Sequence, residues 1–290
     1  MQEIAHGIFI ETSYAGVVLG AINLTHGLLL IDAPHKPDDV RSWRSSLLNL
    51  GGGIDRLLVN LDAHVDRTLG ARAMECTVVA HEKTAQVFRN RPTALKSQAV
   101  ETGADWELSN GLGSIRWAPP EISFSQHLMI YWDDAPVILE HHPGPHPGAI
   151  WVTVPDAHVV FVGDAVIPGQ PPFLANADLD PWIESLRLLL SPAYQDYLVV
   201  GGRTGLVAMR EVRSQFEYLE MLAEHLHAMA EQKVNPDQLE LLIPELIRNF
   251  DILPTRQEQF FQRLRWGLNH YYSRHYSALS TEDDEELPGQ

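Results

Sequence analysis

Over its first 200 residues the chain alternates between short apolar runs and polar turns. Runs at 7–12, 17–24 and 28–32 read as strands, and the His26-Gly27 turn joins the last two into a hairpin. Val40, Trp43, Leu47 and Leu48 then recur at helical spacing within 38–50. Gly51-Gly52-Gly53 is expected to end that helix through a left-handed C′ residue. A buried strand at 56–60, a short helix at 68–75 and a strand at 77–80 follow. Strands interleaved with helices predict an α/β layered domain. Further on, 128–132 with 137–141 and 150–154 with 158–162 flank turn residues and read as two hairpins, and 198–200 is another strand. From Arg210 the pattern turns helical. Residues 211–232 carry Val212, Phe216, Leu219, Leu222, Ala223 and Leu226 along one face. Asn235-Pro236 opens a helix over 237–250, which Pro244 should kink. Thr255 and Glu258 form a capping box for a third helix, with Phe260, Phe261, Leu264, Leu268, Tyr271 and Tyr272 on it. These aromatic residues either pack on the main domain or form a substrate wall or a dimer face. The predicted organisation is a domain over 1–209, a helical extension over 210–278 and an acidic tail over 279–290.

Composition narrows the partners. At 290 residues with 45% apolar content there is room for one large core. The net charge of −17 argues against nucleic acid, whose phosphates call for a basic face. Five of those charges sit in 282–286, which leaves about −12 on the rest. The only cysteine, Cys76, excludes an internal disulfide framework and a Cys-rich zinc module and reads as an inert buried thiol. No apolar run approaches the ~20 residues that span a bilayer, and no basic segment leads into an apolar stretch at the N-terminus. The expectation is a soluble, cytoplasmic protein that does not engage a membrane. Fourteen histidines invite a metal hypothesis that position must justify.

One segment combines position and chemistry: Asp62-Ala63-His64-Val65-Asp66-Arg67, directly after a predicted buried strand. Loops at strand ends are where sites are built. Alternate side chains in a turn converge, and imidazole with carboxylate suits a zinc-like or iron-like ion.

That segment resembles the His-x-His-x-Asp-His signature of the metallo-β-lactamase-fold superfamily. Leu30-Ile31-Asp32 is similar to the superfamily's hydrophobic-Ile-Asp strand end. His141-His142-Pro143-Gly144-Pro145-His146-Pro147-Gly148 resembles its Pro-Gly-His-Thr-Pro-Gly loop, Phe161-Val162-Gly163-Asp164 its Phe-x-Gly-Asp, and Val200-Gly201-Gly202-Arg203 its Pro-Gly-His-Gly. Five motifs in order, over roughly residues 5–207, imply a four-layer αββα sandwich with the helical C-terminus as an appendage.

The departures are informative. Carried over residue by residue, the first metal position becomes Asp62, His64 and His146, and Asp164 keeps the bridging acid. The second retains Asp66, but its two histidines are Arg67 and Arg203. Arginine stays cationic and cannot ligate a metal. The resemblance therefore implies at most one divalent metal (zinc, iron or manganese), held by Asp62, His64, His146 and Asp164, or none. Asp66, Arg67 and Arg203 would then be the catalytic set, with guanidinium groups neutralising Asp66 and Asp164. Arg67 is expected to point inward. His146 either ligates or caps its loop, with His142 as substitute ligand; Asp32 is expected to be structural, and His81 to sit at the surface or at a helix start. Two readings follow: a hydrolase with an altered site, or a catalytically inactive, metal-free descendant that binds a ligand or a partner. An anionic or carbonyl-bearing small molecule fits the arginines, and a homodimer would form through the C-terminal helices.

Overall fold

The computed structural model describes residues 1–93, 95 and 102–276. The acidic tail lies outside them. The strands are β1 (Gln2–Ala5), β2 (Ile8–Glu11), β3 (Leu19–Asn23), β4 (Gly27–Ile31), β5 (Asp55–Val59), β6 (Thr77–His81), β7 (Ile122–Phe124), β8 (His127–Ile130), β9 (Val137–His141), β10 (Ile150–Val154), β11 (Val159–Gly163), β12 (Leu198–Gly201) and β13 (Gly205–Val207). The helices are α1 (Pro37–Leu47), α2 (Val65–Thr68), α3 (Glu82–Asn90), α4 (Leu179–Leu189), α5 (Met209–Glu231), α6 (Ile243–Ile247) and α7 (Gln257–Tyr276).

Strands β1 to β7 lie side by side in chain order in one sheet, and β13-β12-β11-β10-β9-β8 form the second. The period-2 pattern explains the layering. On β4, Leu29 and Ile31 face the other sheet, while Leu28 and Leu30 face Val40, Trp43 and Leu47 of α1. On β11, Val159 and Phe161 face inward, while Val160 and Val162 meet the helical layer of α4, α5 and α7. Two sheets with helices outside both are the αββα sandwich. The C-terminal helices share a single apolar cluster with β10 and β11, through Trp151, Leu219, Leu264 and Leu268. Among the described residues no helix is long and apolar enough to cross a membrane.

The helix boundaries differ from expectation where turn chemistry intervenes. α1 stops at Leu47, its cap Leu48 stays right-handed, and Gly52 serves the next turn instead with a φ of +97°. Residues 68–75 are not one helix: α2 ends at Thr68 and a 3-10 turn covers Ala71–Met74. Pro244 has its expected effect, with a 3-10 run at Pro236–Leu242 preceding the short α6. Thr255 lies inside a 3-10 turn (Pro254–Arg256), so α7 begins two residues beyond it and the expected capping box is not its start. Phe260, Leu264, Leu268, Tyr271 and Tyr272 are buried within the chain itself.

Candidate functional site

The site lies where β4, β5, β11 and β12 end. Asp32 follows β4 with a φ of +58°, a left-handed conformation that aspartate tolerates better than most residues. Its carboxylate accepts the Leu61 N–H at 3.0 Å and lies 3.3 Å from Arg67 Nη1. The loop after β5 carries Asp62, whose Oδ1 accepts the His64 N–H at 2.7 Å. His64 occupies the N-cap position of α2, so Asp66 and Arg67 enter the first turn with buried side chains.

Arg67 is fully buried and touches three carboxylates. Nη1 meets Asp32, Nη2 donates to Asp164 Oδ1, and Nε lies 3.3 Å from Asp62 Oδ1. Burial alone would push its proton off, but the three acids outweigh burial and hold the guanidinium charged. The backbone makes room for this group. A Cβ at Gly202 would sit 2.8 Å from Arg67 Nη2, and one at Gly163 3.0 Å from Nη1. Arg203 forms the second bridge. Its Nη1 donates to Asp66 Oδ2 at 2.9 Å and to Gly16 O at 3.1 Å, while Nη2 donates to Asp164 Oδ2 at 2.9 Å. Nη2 also lies 3.2 Å from His64 Nδ1, and the ring of Phe173 covers the guanidinium at 4.3 Å. Asp66 also accepts the Trp106 N–H at 2.7 Å. Burial opposes the charge on Asp66 and Asp164, but Arg203, with Arg67 at Asp164 and His64 at Asp66, holds both well below the usual carboxylate range. Asp32 goes the other way: burial lifts it to about 7 against the pull of Arg67.

A cavity of about 220 Å³ opens on this cluster. Asp62, His64, His146 and Asp164 line it together with Arg91, Trp106, Phe173, Arg263 and Trp266. The seven residues singled out from the sequence are therefore brought together, six through direct contacts and His146 through the shared cavity. His142 is not among the cavity residues; its ring stacks on Trp151 at 3.9 Å. Asp32 is buried beneath the cluster, in contact with the Leu61 N–H and Arg67. His81 sits at a helix start, where its Nδ1 accepts the Lys83 N–H, but it is buried and stacks on His141 at 3.8 Å. Cys76 is half-buried rather than buried, and burial pushes its thiol up to about 11, which suits the expected inertness.

These donors do not fit a divalent ion as they are arranged. The carboxylates of Asp62, Asp66 and Asp164 each contact a guanidinium. His146 Nδ1 accepts the Gly148 N–H at 3.0 Å, and burial depresses the ring to about 4, so it is neutral with its proton on Nε2. Neither nitrogen then has a lone pair to give a metal. Among the described residues no three His, Cys, Asp or Glu side chains form a group able to hold one.

Two charged cavity residues escaped the sequence reading. Arg263 stands on the apolar stripe of α7, between Phe260 and Gly267, and a charge on a buried stripe was the available signal. Arg91 precedes Pro92, which disfavours helix at residue 91; α3 ends there and Arg91 is extended. Nothing in its local sequence pointed to the cavity.

The metallo-beta-lactamase superfamily model matches residues 71–201, a stretch that begins after the Asp62–Arg67 loop. No curated protein sequence matches the chain. Among solved structures, a metallo-beta-lactamase from Pontibacter korlensis is 19% identical, with a TM-score of 0.57 over 76% of this chain and 97% of that one. A metallo-beta-lactamase family protein from Thermus thermophilus is 18% identical, with a TM-score of 0.60 over 95% and 96%. A stereoselective inverting sec-alkylsulfatase from Pseudomonas sp. is 14% identical, with a TM-score of 0.65 over 99% of this chain and 52% of that one. With two sheets, flanking helices and these likenesses together, the chain is a metallo-β-lactamase-fold protein whose residues 71–201 match the superfamily.

Proposed function

We propose that this protein works without a metal, as a small-molecule-binding descendant of the fold. One observation carries this reading: Arg67 lies against Asp32, Asp62 and Asp164. The resemblance assigned Asp62 to the first metal position and Asp164 to the bridge. A single guanidinium meets both, and Arg203 meets Asp66. Buried carboxylates need a compensating cation, and here side chains supply it. With the charge provided internally, the cavity is left to take a ligand. A cytoplasmic setting accords with one unpaired cysteine.

Elemental analysis and calorimetric titration of the purified protein with zinc, iron(II) and manganese test this. The expected result is less than ~0.1 equivalent bound and an unfolding temperature unmoved by a chelator, because a structural metal's binding energy is folding energy. One or more tightly bound equivalents, lost on His64→Ala, would overturn it.

A second reading is hydrolysis without a metal. It is favoured by His64, whose Nδ1 lies 3.4 Å from Asp66 Oδ2 on a side chain 22% exposed. Nδ1 also accepts from Arg203 Nη2 at 3.2 Å, so the ring carries its proton on Nε2 and is placed as a hydrogen-bond donor or general acid. Turnover of activated esters that His64→Gln abolishes, with metal content at zero, would select this reading.

A further inference from the structure

The cavity wall contains two guanidinium groups that the carboxylate cluster does not use. Arg67 and Arg203 are committed to Asp32, Asp62, Asp66 and Asp164. Arg91 and Arg263 make no ion pair among the described residues; carbonyls and a glutamine amide hold them instead. Asp62 and Asp164 also line the cavity, each in contact with a guanidinium of the cluster, and Arg91 and Arg263 are the wall's cations without an ion pair of their own among the described residues.

Arg91 has the more specific geometry. Its Nη2 donates to Ala63 O at 2.5 Å, while Nη1 is buried with no hydrogen-bond partner. A buried charged donor without an acceptor is costly and rarely left so. The group stacks over Trp117 at 4.6 Å and Phe88 at 5.0 Å, so aromatic rings occupy its face and an acceptor must approach along its edge. A planar carboxylate suits an approach in the plane of the guanidinium. The tautomer of His146 adds a second donor: with Nδ1 accepting the Gly148 N–H, the proton is on Nε2. Trp106, Phe173 and Trp266 supply flat apolar walls. At about 220 Å³ the space is below the ~300–1,000 Å³ typical of drug-sized ligands.

We propose that the cavity binds a small organic carboxylate with a flat apolar body. Its carboxylate meets the Arg91 guanidinium and the His146 Nε2–H, and Arg263 is a second cation on the wall. This rests on the reading of the cavity as a metal-free binding site.

The test uses the full-length protein and three probes of one shape: phenylacetate, phenylacetamide and phenyl phosphate, titrated calorimetrically into one batch whose metal content is also measured. Phenylacetate is expected to bind at least ~10-fold more tightly than the amide and more tightly than the phosphate. Arg91→Lys keeps the charge and loses the planar fork, so phenylacetate affinity should fall ~10-fold or more while amide affinity stays the same. Equal binding of acid and amide would overturn the proposal in favour of an apolar pocket. Tighter binding of the phosphate, or binding of none of the three, would also overturn it. The acid–amide comparison needs no variant, so it decides even if Arg91→Lys fails to fold. Metal in the same batch would overturn the underlying reading instead, so the two failures are distinguishable.

Discussion

Replacing Arg67 with methionine isolates the work done by one buried cation. The side chain lies 3.3 Å from carboxylate oxygens of Asp32 and of Asp62 and in direct contact with Asp164. At an effective dielectric of ~20, one unit-charge pair at that separation is worth about 5 kcal/mol before desolvation. The three acids are not equally exposed to the loss. Asp164 keeps Arg203, and burial already opposes the charge on Asp32. Asp62 has no other ion pair among the described residues. The net cost should fall in the ~3–5 kcal/mol range seen when one partner of a buried pair is removed. That corresponds to a loss of roughly 5–8 °C in unfolding temperature. The pH dependence has a definite sign. Without Arg67 the facing carboxyls have raised folded-state pKa values, so the folded variant takes up protons more readily than its unfolded chain. Its deficit relative to wild type is largest at pH 8 and shrinks toward pH 5. Urea unfolding followed by the fluorescence of the seven tryptophans gives both numbers. A deficit under ~1 kcal/mol at pH 8, or one of the same size at both pH values, would refute the assignment of Arg67 as the compensating cation.

Three further outcomes follow from the same geometry. Gly202→Ala places a methyl 2.8 Å from Arg67 Nη2 and 2.9 Å from Asp164 Oδ1, and should cost ~1–3 kcal/mol in urea unfolding. Gly51→Ala, with nothing within 4 Å, is the matched control and should change little. The double variant R67H/R203H removes both cations and restores imidazole at the positions the superfamily motifs assign to it. It should be unstable alone and gain roughly 2.7 kcal/mol when zinc reaches 100 times its dissociation constant, and a zinc-independent melting curve would contradict this. His142→Phe should flatten the acid limb of stability. Burial against Trp151 depresses this ring to about 4, so its contribution is present above pH ~6.5 and is lost as pH falls toward 4. The loss removed by the substitution is at most ~3 kcal/mol, read as the difference in unfolding free energy between pH 7 and pH 4.5.

The layers were legible in the sequence because strand periodicity is local. Leu28 to Ile31 alternate between two cores, and this follows from the pleat. Asp62, Asp66 and Arg67 were legible for a different reason: they lie within one turn after a strand. What could not be read was that Arg67 reaches Asp32 and Asp62 as well as Asp164, a matter of three-dimensional approach across 35 and 97 residues of chain. Arg91 and Arg263 were illegible for a similar reason. Their neighbours in the site, Ala63 for one and Gly103 for the other, are 28 and 160 residues away. The missed helix starts have a local cause, since 3-10 turns at Ala71–Met74 and Pro254–Arg256 satisfy the same backbone groups that a regular helix end or side-chain cap would.

The placement of α7 has a consequence for how the cavity is closed. The ion-pair cluster draws on residues 32 to 203, and it can close once β12 has paired. The cavity cannot, because Arg263, Trp266 and Gly267 come from the last described helix. The residues that neutralise the carboxylates therefore precede in the chain those that complete the cavity wall, which closes only with α7 in place. A ligand in that space would add to the docking energy of α7. Hydrogen exchange in 257–276 should then slow with ligand more than exchange in the sheets does.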